Sequence, residues 1–297
     1  MLSYLSGELV IQLLINGILF GTLYGIAAIG LSLIFGTMRI IFLAQGTTIV
    51  LFAYCGYWLF TLLGIDPYLA LLIVIPIALV AGTLIYQTLF RQAAALEDKN
   101  VSLLIAVGLM FLIENLMLVL WTANPRSVVT GYTELVLRPF GISIPFTRLI
   151  ALLMAVVSAG LVTLFLKKTL MGIAVRAASE NMVYARLVGV NPHRVNSVAF
   201  AIGIGLAAVA GIGVVQILPF DPFFGFVFAL KALIALALGG IGNVYGALLG
   251  GILLGVIESG ASFFISGGWS DAISFGVFLL VLMFRPEGLF VRSIQKA

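Results

Sequence analysis

Few side chains in this sequence carry charge inside its apolar runs, and any chemistry has to be sought there first. Glu114, Lys231 and Glu258 each lie within a hydrophobic stretch. A charged group at the centre of a bilayer costs several kcal/mol even on lenient insertion scales. Each is therefore expected to face the bundle interior, a partner or water. Pairing of Lys231 with Glu258 or Glu114 satisfies that demand, either as a structural ion pair or as a charged station on a substrate path. Gln45, Asn115 and Gln216 add polar groups in or beside apolar runs. They suit either a translocation pathway or ordinary hydrogen bonds between helices. Other chemistries find little support. His193 is the single histidine and Cys55 the single cysteine, which excludes a multi-histidine metal site and any intrachain disulfide. No nucleophile–base cluster is evident, and no Gly-x-x-x-x-Gly-Lys-Ser/Thr signature occurs. The expectation is a chain without enzyme activity, metal, cofactor or nucleic-acid partner.

The elements that must hold these residues are membrane helices. Of 297 residues 63% are hydrophobic and only 9% charged, against roughly 25% charged in an ordinary soluble domain. Lipid must replace water as the main solvent. Apolar stretches fall at about 9–35, 47–64, 67–90, 101–121, 147–166, 196–218, 226–240, 245–265 and 271–285, most near the length that crosses a bilayer. The stretch at 226–240 is short and holds Lys231, so it is expected to be a short or broken helix. No cleavable leader is read at the N-terminus, since the first apolar run is too long and lacks a basic flank. Basic residues set the orientation. Lys167, Lys168, Arg176, Arg186 and Arg194 mark 167–195 as cytoplasmic, as do Arg285, Arg292 and Lys296 for the C-terminal tail and Arg91 and Lys99 for a short connection. Segment 122–146 is then external. Counting crossings between these points gives an all-α, polytopic bundle of about nine spans, with eight or ten as alternatives, in one domain over 1–297.

Two further patterns stand out. Glycines recur every four residues at Gly17, Gly21 and Gly25 and again at Gly242, Gly246 and Gly250. On a helix this builds a smooth stripe for close packing, or a seam along which helices slide. The segment 167–195 reads as a short helix over 173–187, stopped by Gly189 and Asn191-Pro192. Ala174, Ala177, Ala178, Ala185 and Leu187 give it a small-residue face. It fits an amphipathic helix lying in the membrane interface or a helix that docks into a groove on a cytosolic partner.

Gly172-Ile173-Ala174-Val175-Arg176-Ala177-Ala178, followed by Ala185, Leu187, Gly189, Val190 and Asn191, resembles the coupling loop of the permeases of branched-chain amino acid ABC importers, the LivH type. Leu230-Lys231-Ala232, Gly239-Gly240-Ile241-Gly242-Asn243, Gly246-Ala247, Gly250-Gly251, Gly255 and Glu258 follow in order, and Phe284-Arg285-Pro286-Glu287-Gly288-Leu289-Phe290 is similar to the family's ending. Gly30 to Gly36 and Met38-Arg39-Ile40-Ile41 also fit. One stretch departs: where family members commonly carry Asn, an apolar residue, Ala, His and Gly, this chain reads Phe42-Leu43-Ala44-Gln45-Gly46. The resemblance implies a permease subunit in a bacterial inner membrane. It would form half of a pathway for branched-chain amino acids, or for urea, short amides or aromatic acids. A second homologous permease, two cytosolic ATP-binding subunits and a periplasmic binding protein would complete it. Gly172, Arg176, Ala177, Ala178, Glu180, Ala185, Gly189 and Asn191 would couple it to the ATPase. An ion-coupled secondary transporter using Glu114 and Glu258 is the alternative, with a channel or membrane enzyme further behind.

Overall fold

A membrane interior leaves no water to satisfy backbone polar groups, so a long apolar chain must close its hydrogen bonds within helices. The computed structural model obeys this. It describes residues 7–93, 99–138, 142–240, 242–264, 269–285 and 288–290. The expectations placed on Ile241, Pro286, Glu287, Arg292, Lys296 and the Lys99 side chain lie outside the described residues.

Nine apolar helices occupy the nine expected stretches: α1 (Gly7–Met38), α2 (Ala44–Leu63), α3 (Pro67–Ile85), α5 (Lys99–Trp121), α6 (Phe146–Lys168), α9 (Pro192–Ile217), α10 (Phe224–Gly239), α11 (Val244–Phe264) and α12 (Ser270–Phe284). α3 runs on through a π-helical turn (Tyr86–Phe90) into α4 (Arg91–Ala93). Seven of the nine are long and apolar enough to cross a membrane. α10 and α12 have 16 and 15 residues, about 24 and 22 Å at 1.5 Å per residue against a hydrocarbon core of about 30 Å. The short helix expected around Lys231 is α10, and α12 shares its shortness. Within 167–195 lie two small helices, α7 (Leu170–Glu180) and α8 (Met182–Leu187). A two-residue antiparallel pair, β1 (Val136–Leu137) with β2 (Ile144–Pro145), is the only sheet among the described residues.

The helix boundaries follow local chemistry. Asp66 accepts from the Tyr68 N–H ahead of Pro67, and Asn191 accepts from His193 and Arg194 ahead of Pro192. Both pair a side-chain cap with a proline whose missing N–H costs nothing at the first turn. Gly64, at φ +66°, ends α2 in the left-handed conformation.

α1 and α9 form the enclosed centre, while α3 and α5 are peripheral. α1 packs on α11, α9, α10 and α6, and α9 on α2 and α3. The peripheral helices expose Leu72, Leu104 and Val119, as lipid-facing surfaces should. The glycine stripe of α1 is used as expected. Gly17 abuts Gly255 and Val256, Gly21 abuts Gly251 and Ile252, and Gly25 abuts Leu248. The glycines of α11 that face it are Gly251 and Gly255. Gly246 and Gly250 turn the other way, onto the backbone of Gly239 and Ala235 in α10. Gly242 belongs to no stripe. It precedes α11 at φ +80°, with open space where its Cβ would be. Its N–H donates to Ser32 Oγ at 3.2 Å. Beyond α12 the chain folds back: Gly288 packs against Gly240, and the Leu289 N–H donates to the Leu238 carbonyl.

Candidate translocation and coupling sites

The paired charges come from helices that meet in the half of the bundle facing segment 122–146. Lys231 on α10 places Nζ 2.5 Å from Glu258 Oε1 on α11 and 2.8 Å from Asp271 Oδ1 at the start of α12. It also donates to the Tyr24 hydroxyl at 3.3 Å and lies 5.5 Å from that ring's centre. The pairing of Lys231 with Glu258 holds. Glu114 takes no part: it is half-buried on α5, without an ion pair among the described residues. Asp271 is the member that sequence reasoning missed, because it stands at a helix end where a charge draws no notice.

Glu258 keeps one oxygen, Oε2, buried without a partner. Glu258 borders a cavity of about 240 Å³ shared with Arg148, Asn16, Phe20 and Ser262. Arg148, also missed, enters from the third residue of α6 and donates to Asn16 Oδ1 at 3.0 Å, over the Phe20 ring. Two cations, Arg148 and Lys231, thus share one region with two carboxylates, Glu258 and Asp271. Charge balances locally, as a low-dielectric site demands.

The remaining polar candidates do not join this cluster. Gln45 is fully buried at the start of α2 and donates to the Gly203 carbonyl of α9 at 3.1 Å, while a Cβ on Gly30 of α1 would collide with its amide. It pins three helices together. Phe42, the neighbouring departure from the family pattern, is buried edge-on against Phe200 and Phe90. Gln216, at the C-terminal end of α9, bonds segment 122–146: it donates to the Tyr132 hydroxyl at 3.4 Å and accepts from Thr130 Oγ1 at 3.5 Å. Tyr132 in turn donates to Asp66 Oδ2 at 2.6 Å. Burial, and then the bond to Asp66, push the Tyr132 phenol well above its ordinary pKa. Arg126 pairs its backbone with Phe220 and rests its guanidinium against Tyr57 and Trp58. Segment 122–146 is thus fastened across the ends of α2, α3 and α9. Asn115 is exposed on α5 and donates to its own helix at Phe111.

At the other end, α7 and α8 carry the residues expected to couple the chain to an ATPase. Thr169 Oγ1 accepts from the Gly172 N–H and caps α7. Gly172 sits so close to the Phe165 carbonyl that a Cβ would overlap it. Arg39 reaches from the α1–α2 connection to the Ser179 carbonyl at 3.0 Å. Gly189, at φ +87°, closes α8 with its N–H on the Arg186 carbonyl. Of the eight coupling candidates, Gly172, Ala178 and Ala185 are buried and Ala177 half-buried, while Arg176, Glu180, Gly189 and Asn191 are exposed. The alanine face therefore packs inward on the bundle, and most of what faces outward is larger and apolar. Leu170, Leu187 and Val188 are 90, 79 and 79% exposed, with Val183 and Tyr184 beside them in the chain also exposed. The sequence pattern groups Ala174, Ala177, Ala178, Ala185 and Leu187 on one face, but Leu187 is exposed while Ala178 and Ala185 are buried. Only the packing of α7 against α6 and α9 shows which side is left over.

A bundle of long apolar helices, balanced internal charges and an exposed apolar segment on one end define a multi-pass membrane permease. The family described as "Branched-chain amino acid transport system / permease component" matches residues 13–282, and this chain belongs to it. The chain is 30% identical to the high-affinity branched-chain amino acid transport system permease protein LivH of Escherichia coli (strain K12), over 95% of this chain and 96% of that protein. It is 29% identical to the permease protein BraD of Pseudomonas aeruginosa, covering 95% and 96%. A probable branched-chain amino acid transport permease of Methanocaldococcus jannaschii is 26% identical, covering 97% and 95%. No solved structure matches.

Proposed function

We propose that this chain is one of two permease subunits of an ATP-driven importer in a bacterial plasma membrane. It forms half of a pathway for branched-chain amino acids or a related small amphiphile, received from a periplasmic binding protein. A second homologous permease completes the pathway, and two cytosolic ATP-binding subunits supply the energy. Family membership and the names of the full-length relatives support the substrate class. The carrying observation is the exposed apolar surface of α7 and α8, which water does not favour and which exceeds the scattered exposure of an ordinary surface. A cytosolic subunit seated there would push on α6 and α9, the two helices that flank the segment. α9 is central, so the push reaches the seams with α1, α2 and α3. This is rigid-body switching of access, with Gly189 and the Thr169–Gly172 corner as the joints.

The test is uptake of radiolabelled leucine by proteoliposomes holding the assembly purified with its co-expressed subunits. Uptake should require ATP inside the cytosolic face and should survive collapse of proton and sodium gradients. Leu187→Glu with Val188→Glu should release the ATP-binding subunits while leaving membrane insertion intact. Uptake driven by an ion gradient without ATP, or full coupling in the double variant, would refute the proposal.

A further inference from the structure

A second polar cavity lies on the coupling side, unlike the charge cluster in its balance. It has a volume of about 440 Å³ and opens where the end of α3, the start of α7 and the start of α9 converge. Arg91 and Arg194 line it with His193, Gln87, Ser197 and Tyr86, and Met171 of α7 forms part of the wall. Among the described residues no carboxylate lines it. Neither arginine forms an ion pair among the described residues. His193 Nδ1 sits 3.3 Å from the Tyr86 hydroxyl, so these two side chains form one wall of the cavity. The N-terminal N–H groups of α9 are already taken by Asn191, so the attraction for an anion comes chiefly from the side chains.

Depth identifies the anion. Arg91 lies 24 residues beyond Pro67, about 36 Å along the helix at 1.5 Å per residue. The hydrocarbon core is about 30 Å thick, so Arg91 stands one headgroup layer past its far edge. The outward surface of α3 is apolar and exposed all the way down, through Leu72, Ile77, Val80 and Leu84 to Leu89. The π-helical turn inserts one residue just before Arg91, rotating it by about 100° from where an unbroken α-helix would aim it. Acyl chains therefore lie against the same helix whose end carries the arginine, and lipid phosphates sit at the cavity's level. Guanidinium groups bind phosphate in a forked, two-bond geometry, and basic pockets between membrane helices on this side suit anionic headgroups.

We propose that this cavity binds the phosphodiester headgroup of an anionic phospholipid from the leaflet on the α7–α8 side. Arg91 and Arg194 clamp the phosphate, and Gln87, Ser197 and His193 supply further hydrogen bonds. Because Met171 belongs to α7, a seated lipid braces the coupling segment against α3. This site is independent of which solute is transported.

The probe is phosphatidylglycerol, offered against phosphatidylcholine to the protein in the assembly it forms in membranes and read by native mass spectrometry. Wild type should retain one phosphatidylglycerol in preference to phosphatidylcholine. Retention should fall about fivefold for Arg91→Gln or Arg194→Gln alone and at least tenfold for both, and stay unchanged for Arg186→Gln, which lies outside the cavity. A photoreactive phosphatidylglycerol on unaltered protein should label Met171, Ser197 or Val198, so the result does not hang on a variant's folding. Four results overturn the proposal: no preference for phosphatidylglycerol, full retention by the double variant, labelling confined to other surfaces, or complete displacement by millimolar inorganic phosphate, which would make the ligand a soluble anion. Exclusion of the lipid whenever ATP-binding subunits are attached would also overturn it, by giving the cavity to an acidic side chain of that partner.

Discussion

Replacing Lys231 with Met leaves two carboxylates facing each other. Glu258 Oε1 and Asp271 Oδ1 are at most 5.3 Å apart, since they contact one nitrogen at 2.5 and 2.8 Å. Their repulsion at that separation is about 3 kcal/mol at an effective dielectric of about 20. Asp271 is 50% exposed, so water screens part of it, and a net loss of about 2 kcal/mol is expected. Glu258→Gln is milder, because Lys231 keeps Asp271; about 1 kcal/mol is expected for the weakened charge-assisted bond. The combination Lys231→Met with Glu258→Gln removes the repulsion and should recover at least half of the Lys231→Met deficit. Thermal unfolding in nanodiscs, followed by intrinsic fluorescence, ranks the three proteins, and leucine uptake measured beside it separates folding from transport. If Lys231→Met is no less stable than Glu258→Gln, or if the double variant is the weakest, the cluster is not held by the balance described here. If all three fold like the wild type yet lose uptake, the residues act on the solute rather than on the bundle.

Gly189→Ala meets open space but must hold φ near +87°, at a cost of about 1 kcal/mol; it should raise the ATP hydrolysed per leucine imported without reducing membrane insertion. Gly251→Leu drives a side chain into the backbone of Gly25 and should abolish folded protein in size-exclusion profiles, whereas Gly108→Leu, with nothing near its Cβ, should not. Tyr132→Phe removes the bond to Asp66 and should speed proteolysis of segment 122–146 by several-fold. In the unaltered protein that phenol titrates above its unfolded value near 10. Its contribution is therefore fully present below about pH 10 and lost as pH rises through the higher folded value, so the segment should turn protease-sensitive only in strong alkali.

The helices were legible because hydrophobicity over about 20 residues is itself the cause of insertion. All nine fall where the apolar runs lie, and α10 is short as its length and Lys231 suggested. The Lys231–Glu258 pair was legible for the same reason: a charge in such a run must be answered. Asp271 and Arg148 were not, because each stands near the end of its helix, where local sequence gives a charge an escape to water. Which stripe of α11 meets α1 was hidden too. Gly246, Gly250, Gly251 and Gly255 offer two faces, and choosing between them requires knowing where α10 sits. The coupling segment shows the limit most plainly. Its place and its final stop at Gly189 were readable, but the break at Asn181 that splits the expected 173–187 helix into α7 and α8 was not, nor was whether Ala178 or Leu187 faces outward, which depends on how the flanking α6 and α9 and the distant α1 pack against the segment.

The α1–α11 crossing, finally, constrains how the bundle can move. Gly17, Gly21, Gly251 and Gly255 meet main chain to main chain, with no side chains whose rotamers might redistribute as the helices shift. Such a seam has no soft mode short of separation, because packed backbones offer few voids into which strain relaxes. The two helices must travel as a single beam. Any gate in this half of the pathway has to hinge along joints made by side chains, such as Tyr24 of α1 against Phe228 of α10 or Leu79 of α3 over Gly205 of α9.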